Sequence, residues 1–469
     1  MMNRILKILK TVFKNTSAYF CIFYLTFQPV LAQTVSNNAL PTNPNVTSGS
    51  ATFNQTTNQL TINQATDKLI TNWSSFNIGR DATVTFNQPS SLSSALNRVN
   101  SSDPSYIFGK LNANGQVILL NQSGVIFGNG AKFDAGTFIA TTLNIKDTDF
   151  LNGKMIFEKD GYAGSITNYG DLSAFKGGAV ALIAPQIINN GTITAESGTA
   201  ALLSGNKVTL SLNGNKLVKY TIDEGALNSY IENNNAIKVD DGTVILSARA
   251  LDELSKSVIS NSGIIEAKGI STKGGKILLE GDDITLKSTS VVDASGKLGG
   301  GEILVGGSWQ NSDTSIRQAI NTTIESGATL DASATDNGDG GTIVAWSDVK
   351  NPNSATRVYG TITARGGPNG GDGGRIETSG YFLDVEGISI NAGSKLGVAG
   401  LWLLDPYNIT IGSSGNAATY DVSSGTYTAN QTSSTIAAST INTALASNNV
   451  ILDTTSSDYF SSETLARDA

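Results

Sequence analysis

The sequence predicts an all-β chain folded as a right-handed parallel β-helix, a solenoid with short antiparallel extra-helical strands near its N-terminus. Three observations carry this. A short unit, Gly-x-(Ile/Leu)-x-Ala, recurs along the chain, often with Asn just before it. A second unit, a Gly-Gly pair opening an apolar strand, recurs beside it. The composition holds 50 Gly but 9 Pro, with 15% charged and 39% hydrophobic residues over 469 positions. Ordinary soluble domains carry about 25% charged residues, and disordered chains pair high charge with low hydrophobicity. This length exceeds one ordinary core, whereas a stacked repeat grows its core in one dimension.

The first unit appears at Gly170-Asp-Leu-Ser-Ala174, Gly191-Thr-Ile-Thr-Ala195, Gly263-Ile-Ile-Glu-Ala267 and Gly360-Thr-Ile-Thr-Ala364. Looser copies are Ser290-Val-Val-Asp-Ala294 and Thr329-Leu-Asp-Ala332. The first two copies lie 21 residues apart, about the length of one β-helix coil. The second unit opens strands after Gly177-Gly178, Gly274-Gly275, Gly300-Gly301, Gly340-Gly341 and Gly373-Gly374, the last three intervals being 26, 40 and 33 residues. Each short strand turns one small apolar side chain inward, while Gly and Asn take corners that need positive φ. At about 22 residues per coil and about 4.8 Å per coil, this predicts about 20 coils and a rod of about 90–100 Å. Two or three β-sandwiches are the alternative all-β reading, and a repeated unit at coil length argues against it.

The N-terminus has the architecture of an export signal. Residues 1–14 are basic, with Arg4, Lys7, Lys10 and Lys14 and no acidic residue. An apolar run follows from Ala18 to Leu31, and Val30-Leu31-Ala32 precedes a candidate cut between Ala32 and Gln33. The run spans 14 residues, short of the about 20 that a membrane-spanning helix needs. Cleavage takes the net charge from −8 to −12 and removes the single cysteine, Cys21. An acidic chain without basic clusters is not a nucleic-acid binder.

Four segments follow from these signals: a signal peptide over 1–32, a first β domain over 33–300, continuing repeats over 301–411, and a Ser/Thr/Asn-rich end over 412–469, read as truncated. Alternating strands such as Gln59-Leu-Thr-Ile-Asn63 and Ala82-Thr-Val-Thr-Phe86 mark half-buried strands in the first domain.

Within it, Trp73-Ser-Ser-Phe-Asn-Ile-Gly-Arg80, Val84-Thr-Phe-Asn-Gln-Pro89, Ala95-Leu-Asn-Arg-Val99, Ile107 to Val117, Ile118-Leu-Leu-Asn-Gln-Ser-Gly-Val-Ile-Phe-Gly128 and Ala140-Thr-Thr-Leu-Asn-Ile145 follow one another. This block resembles the N-terminal two-partner secretion domain of filamentous haemagglutinin-like exoproteins, over roughly residues 33–300. The resemblance implies a partner transporter in the outer membrane, passage through the periplasm, and folding outside the cell. It implies adhesion, with a host cell-surface receptor or glycan as target, and a secreted or surface location. The family hallmark Asn-Pro-Asn-Gly-Ile stands here as Asn121-Gln122-Ser123-Gly124-Val125, keeping Asn and Gly and losing Pro and the second Asn. These five residues are the candidate transporter contacts. The same Asn-x-x-Gly between apolar runs is equally a turn that closes a coil. Asn43-Pro44-Asn45-Val46 is similar to a second hallmark but lies too early to inherit its role.

No chemistry stands out. With no His and no mature Cys, histidine triads, thiol catalysis and histidine metal sites are excluded, and no cofactor is expected. Carboxylates remain, densest at Asp331, Asp336 and Asp339, with Asp372 in a similar Gly-rich corner. Their spacing fits neither an EF-hand nor a calcium nonapeptide, so solvated turns are expected. Gly299-Gly300-Gly301 lacks the Gly-Lys-Ser/Thr of a phosphate loop. Trp73, Trp309, Trp346 and Trp402 are expected in the core rather than on sugars. The reading is a non-enzymatic exoprotein. A β-helix polysaccharide-active enzyme, and the export or stalk part of a contact-dependent toxin or haemolysin, are the other classes.

Overall fold

The computed structural model describes residues 35–252, 254–415, 420–421, 426–427, 434–454 and 463–465. The candidate signal and its cut between Ala32 and Gln33 lie outside the described residues. Within the compact unit from Asn37 to Ala469, the chain winds as a right-handed parallel β-helix with three faces per coil.

The first face is a 10-stranded parallel sheet, from Ser105–Ile107 to Phe382–Asp384. The second face carries the Gly-x-(Ile/Leu)-x-Ala units. Leu172 pairs with Ile193, Val292 with Leu330, and Leu330 with Ile362, each coil laying its copy on the one before. Those residues and the closing alanines Ala195, Ala267, Ala294, Ala332 and Ala364 are fully buried in the lumen. The repeat read from the sequence is therefore one face of the helix.

The Gly-Gly units open the third face. Its parallel strands run from Lys68–Trp73 to Asn449–Leu452, 13 among the described residues. Thirteen coils replace the 20 expected. The shortfall has a plain cause: many coils carry excursions, such as residues 142–164 and 205–228, so the mean of 22 residues does not hold. At about 4.8 Å per step the stack is about 58 Å long.

The glycine that starts the third-face strands of the middle coils, as at Gly242, Gly275, Gly301, Gly341 and Gly374, is required by the stacking. A Cβ at Gly275 would lie 2.0 Å from the carbonyl oxygen of Gly242, one at Gly301 2.1 Å from that of Gly275, and one at Gly341 2.0 Å from that of Gly301. No side chain fits at that corner.

At the N-terminal end, Ala51–Gln55 pairs antiparallel with Gln59–Gln64, and Asn45–Ser48 with Lys68–Trp73. Phe53, Trp73 and Phe76 meet edge to face over the lumen, at 5.7 and 5.4 Å between centroids. Further extra-helical strands lie mid-chain. Met155–Glu158, Lys207–Asn213 and Lys216–Glu224 form an antiparallel sheet. With Phe150 of the short helix Asp147–Leu151, this sheet covers the outward side of the third face, burying Ile70, Leu96, Ile118 and Ile139. Loop residues 306–320 do the same for Leu278, Leu304 and Val344. The Ser/Thr/Asn-rich end adds a helix that the sequence pattern did not indicate, Ala438–Leu445, which buries Ile441 and Ala444 against the core.

Candidate functional site

Asn121 ends the third-face strand of its coil, and the backbone turns there onto the first face. Its amide Nδ2 donates to the carbonyl of Asp103 at 3.1 Å and to Ser105 Oγ at 3.0 Å, and its Oδ1 accepts from the Ser123 N–H at 2.9 Å. Gly124 N–H donates to the Asn121 carbonyl at 3.0 Å, closing a four-residue turn. Gly124 has φ +122°, which explains the glycine. Val125 points into the lumen and is fully buried. Asn121 is also fully buried, while Gln122 and Ser123 are half-buried at the surface. Gln122 Nε2 donates to the carbonyl of Asp160 at 2.5 Å, and Ser123 Oγ to that of Ser101 at 2.7 Å. The five residues thus divide: Asn121, Gly124 and Val125 build the corner, and Gln122 and Ser123 face outward.

Asn43 adopts φ +52° and its Nδ2 donates to Ser74 Oγ at 3.3 Å. Asn45 and Val46 pair with Asn72 and Thr71 on the antiparallel edge. This motif is part of the N-terminal cover, away from the Asn121 corner in register.

The carboxylates singled out in the sequence shape the loops. Asp331 Oδ1 accepts from the Ser333 N–H at 2.8 Å, and Asp336 Oδ1 from Asn369 Nδ2 at 2.7 Å. Asp339 Oδ1 accepts from the Asp372 N–H at 2.8 Å, and Asp372 Oδ1 in turn from the Val398 N–H at 2.9 Å. Asp331 closes its own turn, while Asp336, Asp339 and Asp372 tie loops of successive coils together. Among the described residues no three His, Cys, Asp or Glu side chains gather as a metal site would need. Trp73, Trp346 and Trp402 are buried. Trp309 lies on the covering loop with the Arg375 guanidinium 4.5 Å from its ring centroid.

Three features escaped the sequence reading. Asn168, Asn189, Asn233 and Asn261 end successive first-face strands, fully buried, and form a side-chain ladder. Each Nδ2 donates to the next Oδ1, at 2.8, 2.7 and 2.7 Å. Further along, the same register holds Leu286, Ile324 and Val358, so a polar ladder gives way to an aliphatic one. The Asn before Gly-x-(Ile/Leu)-x-Ala was the available signal. Second, Glu280 on the outward side of the third face, 5% exposed, accepts from Tyr220 OH at 2.9 Å, Ser247 Oγ at 2.6 Å and the Arg317 N–H at 2.8 Å. Burial, with the Glu280 carboxylate beside it, raises the Tyr220 phenol well above its ordinary value. Third, Glu377 is fully buried under the loop, accepting from the Gln310 N–H at 2.8 Å and Ser379 Oγ at 2.9 Å. Burial pushes its carboxyl up to about 8. Both glutamates stand in strands opened by Gly-Gly units, after Gly274-Gly275 and Gly373-Gly374, but at outward positions where the neighbouring coils carry Ser247 and Val344, so the repeat did not mark them.

The model of the TPS secretion domain family matches residues 32–298, and the chain belongs to that family. It is similar to the solved HMW1 secretion domain of Haemophilus influenzae, with a TM-score of 0.61 and 30% identity, over 78% of this chain and all of that one. Two curated relatives, both heme/hemopexin-binding proteins of Haemophilus influenzae, are 33% identical over 228 residues and 27% identical over 278 residues. These alignments cover 47% and 55% of this chain but 25% and 29% of the relatives. The chain therefore spans about a quarter of the length of the curated relatives it matches.

Proposed function

We propose that the chain is a β-helical exoprotein recognised by a partner outer-membrane transporter, and that it acts at the cell surface or in the medium as a non-enzymatic binding protein of adhesin type. The observation that carries this is the family match over residues 32–298, joined to coils that continue in unbroken register to Asn449–Leu452. Such a stack offers a direct physical route for export. Each coil that forms outside adds backbone pairing and lumen burial, so a folded coil does not slip back through a narrow pore. Within this reading Gln122 and Ser123 are the outward contacts of the transporter, and Asn121, Gly124 and Val125 hold them in place.

The target of binding has two readings. Adhesion to a host receptor or glycan follows from the resemblance to haemagglutinin-like proteins. Capture of haem or of hemopexin is favoured by the names of the two relatives. Truncation tests the export half of the proposal. A chain ending at residue 300 is released with the transporter present, and a chain lacking 33–300 is retained. Release of the second chain contradicts the assignment.

A further inference from the structure

A cleft of about 880 Å³ opens on the outward side of the third face. One wall is the strand Lys216–Glu224, and the other is formed by Asp313 to Arg317. Ile245 and Leu278 form its apolar floor, with Leu217, Ile222 and Ile316 on the walls. The volume falls in the range of ligand sites, about 300–1,000 Å³.

Two independent features indicate what fits. The first is backbone. Lys216–Glu224 ends its sheet and pairs with one strand only, Lys207–Asn213; the Leu217 carbonyl accepts from Thr199 Oγ1 and those of Ile222 and Asp223 from the Arg249 guanidinium, so the stretch open to an added strand is Val218 to Thr221. A strand edge bordering an apolar slot is a template for an added strand. The second is charge. The chain as a whole has 39 acidic and 31 basic residues, yet Lys216, Lys219, Arg249, Lys276 and Arg317 line this cleft against Glu280 and Asp313. Arg317 is matched by Glu280, its Nε 3.5 Å away, and Lys276 by Glu302 at 2.8 Å. Lys216 and Lys219 enter no such ion pair among the described residues, and both are exposed on the open strand.

Glu280 fixes the width of the slot. It binds Tyr220 of one wall and Arg317 of the other, at 2.9 and 2.8 Å. Lysine on an edge strand also guards against self-pairing. Here that guard is selective, since it repels basic strands and attracts acidic ones.

We propose that this cleft docks an extended acidic polypeptide segment of a partner protein, which adds as a strand on the Lys216–Glu224 edge. Residues 313–317 lie beyond the segment matched by the family, which ends at 298. The cleft is therefore completed by the coils after the secretion domain, and the inference stands apart from transporter recognition at the Asn121 corner.

The test uses the folded chain and a fluorescein-labelled eight-residue peptide alternating Glu with Val and Thr, read by anisotropy. The expected result is saturable one-to-one binding that weakens as salt rises, with new amide-exchange protection in residues 216–224. The K216E/K219E double variant should bind about tenfold more weakly, corresponding to about 1.4 kcal/mol. V218D, at a residue already 56% exposed, should weaken it in the same direction and serves if the double variant does not fold. No saturation up to about 1 mM, equal binding of a Lys-for-Glu peptide, or unchanged affinity in both variants overturns the proposal. So does uptake of a long-chain fatty acid that displaces the peptide, which would make the cleft a small-ligand site.

Discussion

Asn168 Nδ2 donates to Asn189 Oδ1 at 2.8 Å, and neither side chain touches solvent. The same amide also bonds the carbonyl of Gly170 at 3.2 Å, and Asn189 bonds that of Gly191 at 3.1 Å. Each asparagine therefore satisfies a corner and a neighbouring coil together. Replacing Asn233, mid-ladder, by Ala leaves one N–H of Asn189 Nδ2 without its acceptor and Asn261 Oδ1 without its donor. A buried polar group left unpaired costs about 1–3 kcal/mol. Urea unfolding of Asn233→Ala should show that loss.

Glycine substitutions should sort by stacking. Gly341→Ala drives a methyl to 2.0 Å from the Gly301 carbonyl oxygen, a backbone clash that only separation of coils relieves. A cost of about 3 kcal/mol is expected. Gly161 has φ +82° but open space around its Cβ position, so Gly161→Ala should cost about 1–2 kcal/mol, the left-handed conformational penalty alone. Thermal melts of the two variants measure the difference.

Glu377 makes stability depend on pH. Burial raises its carboxyl from 4.5 to about 8 in the folded chain. Between those values the folded state holds a proton that the unfolded state has released, so stability falls as pH rises through the window. Below 4.5 both states are protonated and the contribution is flat. Glu377→Gln keeps the shape without the titration. Denaturant midpoints from pH 5 to pH 9 should decline less steeply in that variant than in the parent.

The Asn121 corner separates structure from recognition. Asn121→Ala removes the bonds to Asp103 and Ser105 and should lower stability by about 1–3 kcal/mol, reducing release as a consequence. Gln122→Ala loses one exposed bond to Asp160 and should leave the melting temperature nearly unchanged. If Gln122 contacts the transporter, its release falls while its stability does not. Quantitative release set against melting temperature for both variants gives the answer.

The lumen of this fold was legible in the sequence because inward residues repeat. Leu172, Ile193, Ile265, Val292, Leu330 and Ile362 all stood in the Gly-x-(Ile/Leu)-x-Ala frame, and all are buried in the lumen. The outward cover was not legible. Ile70, Leu96, Ile118 and Ile139 are buried by the sheet of residues 155–158, 207–213 and 216–224, which lies far away in sequence. One trace existed. Ala179-Val-Ala-Leu-Ile-Ala184 is apolar without alternation, the mark of a strand buried on both sides. The coil number was overestimated because an insertion at a corner leaves the repeat intact while lengthening the coil. At the Asn121 corner the turn was legible from Asn and Gly, but which of its residues face outward depended on Asp103, Ser105 and Ser165 of neighbouring coils.

The most direct test of the account is release of the full chain into the medium with and without a partner-class outer-membrane transporter, with the N-terminus of the released protein sequenced. Release is expected only with the transporter, with a mature chain beginning at Gln33. Equal release in its absence, or retention in the periplasm in its presence, contradicts it.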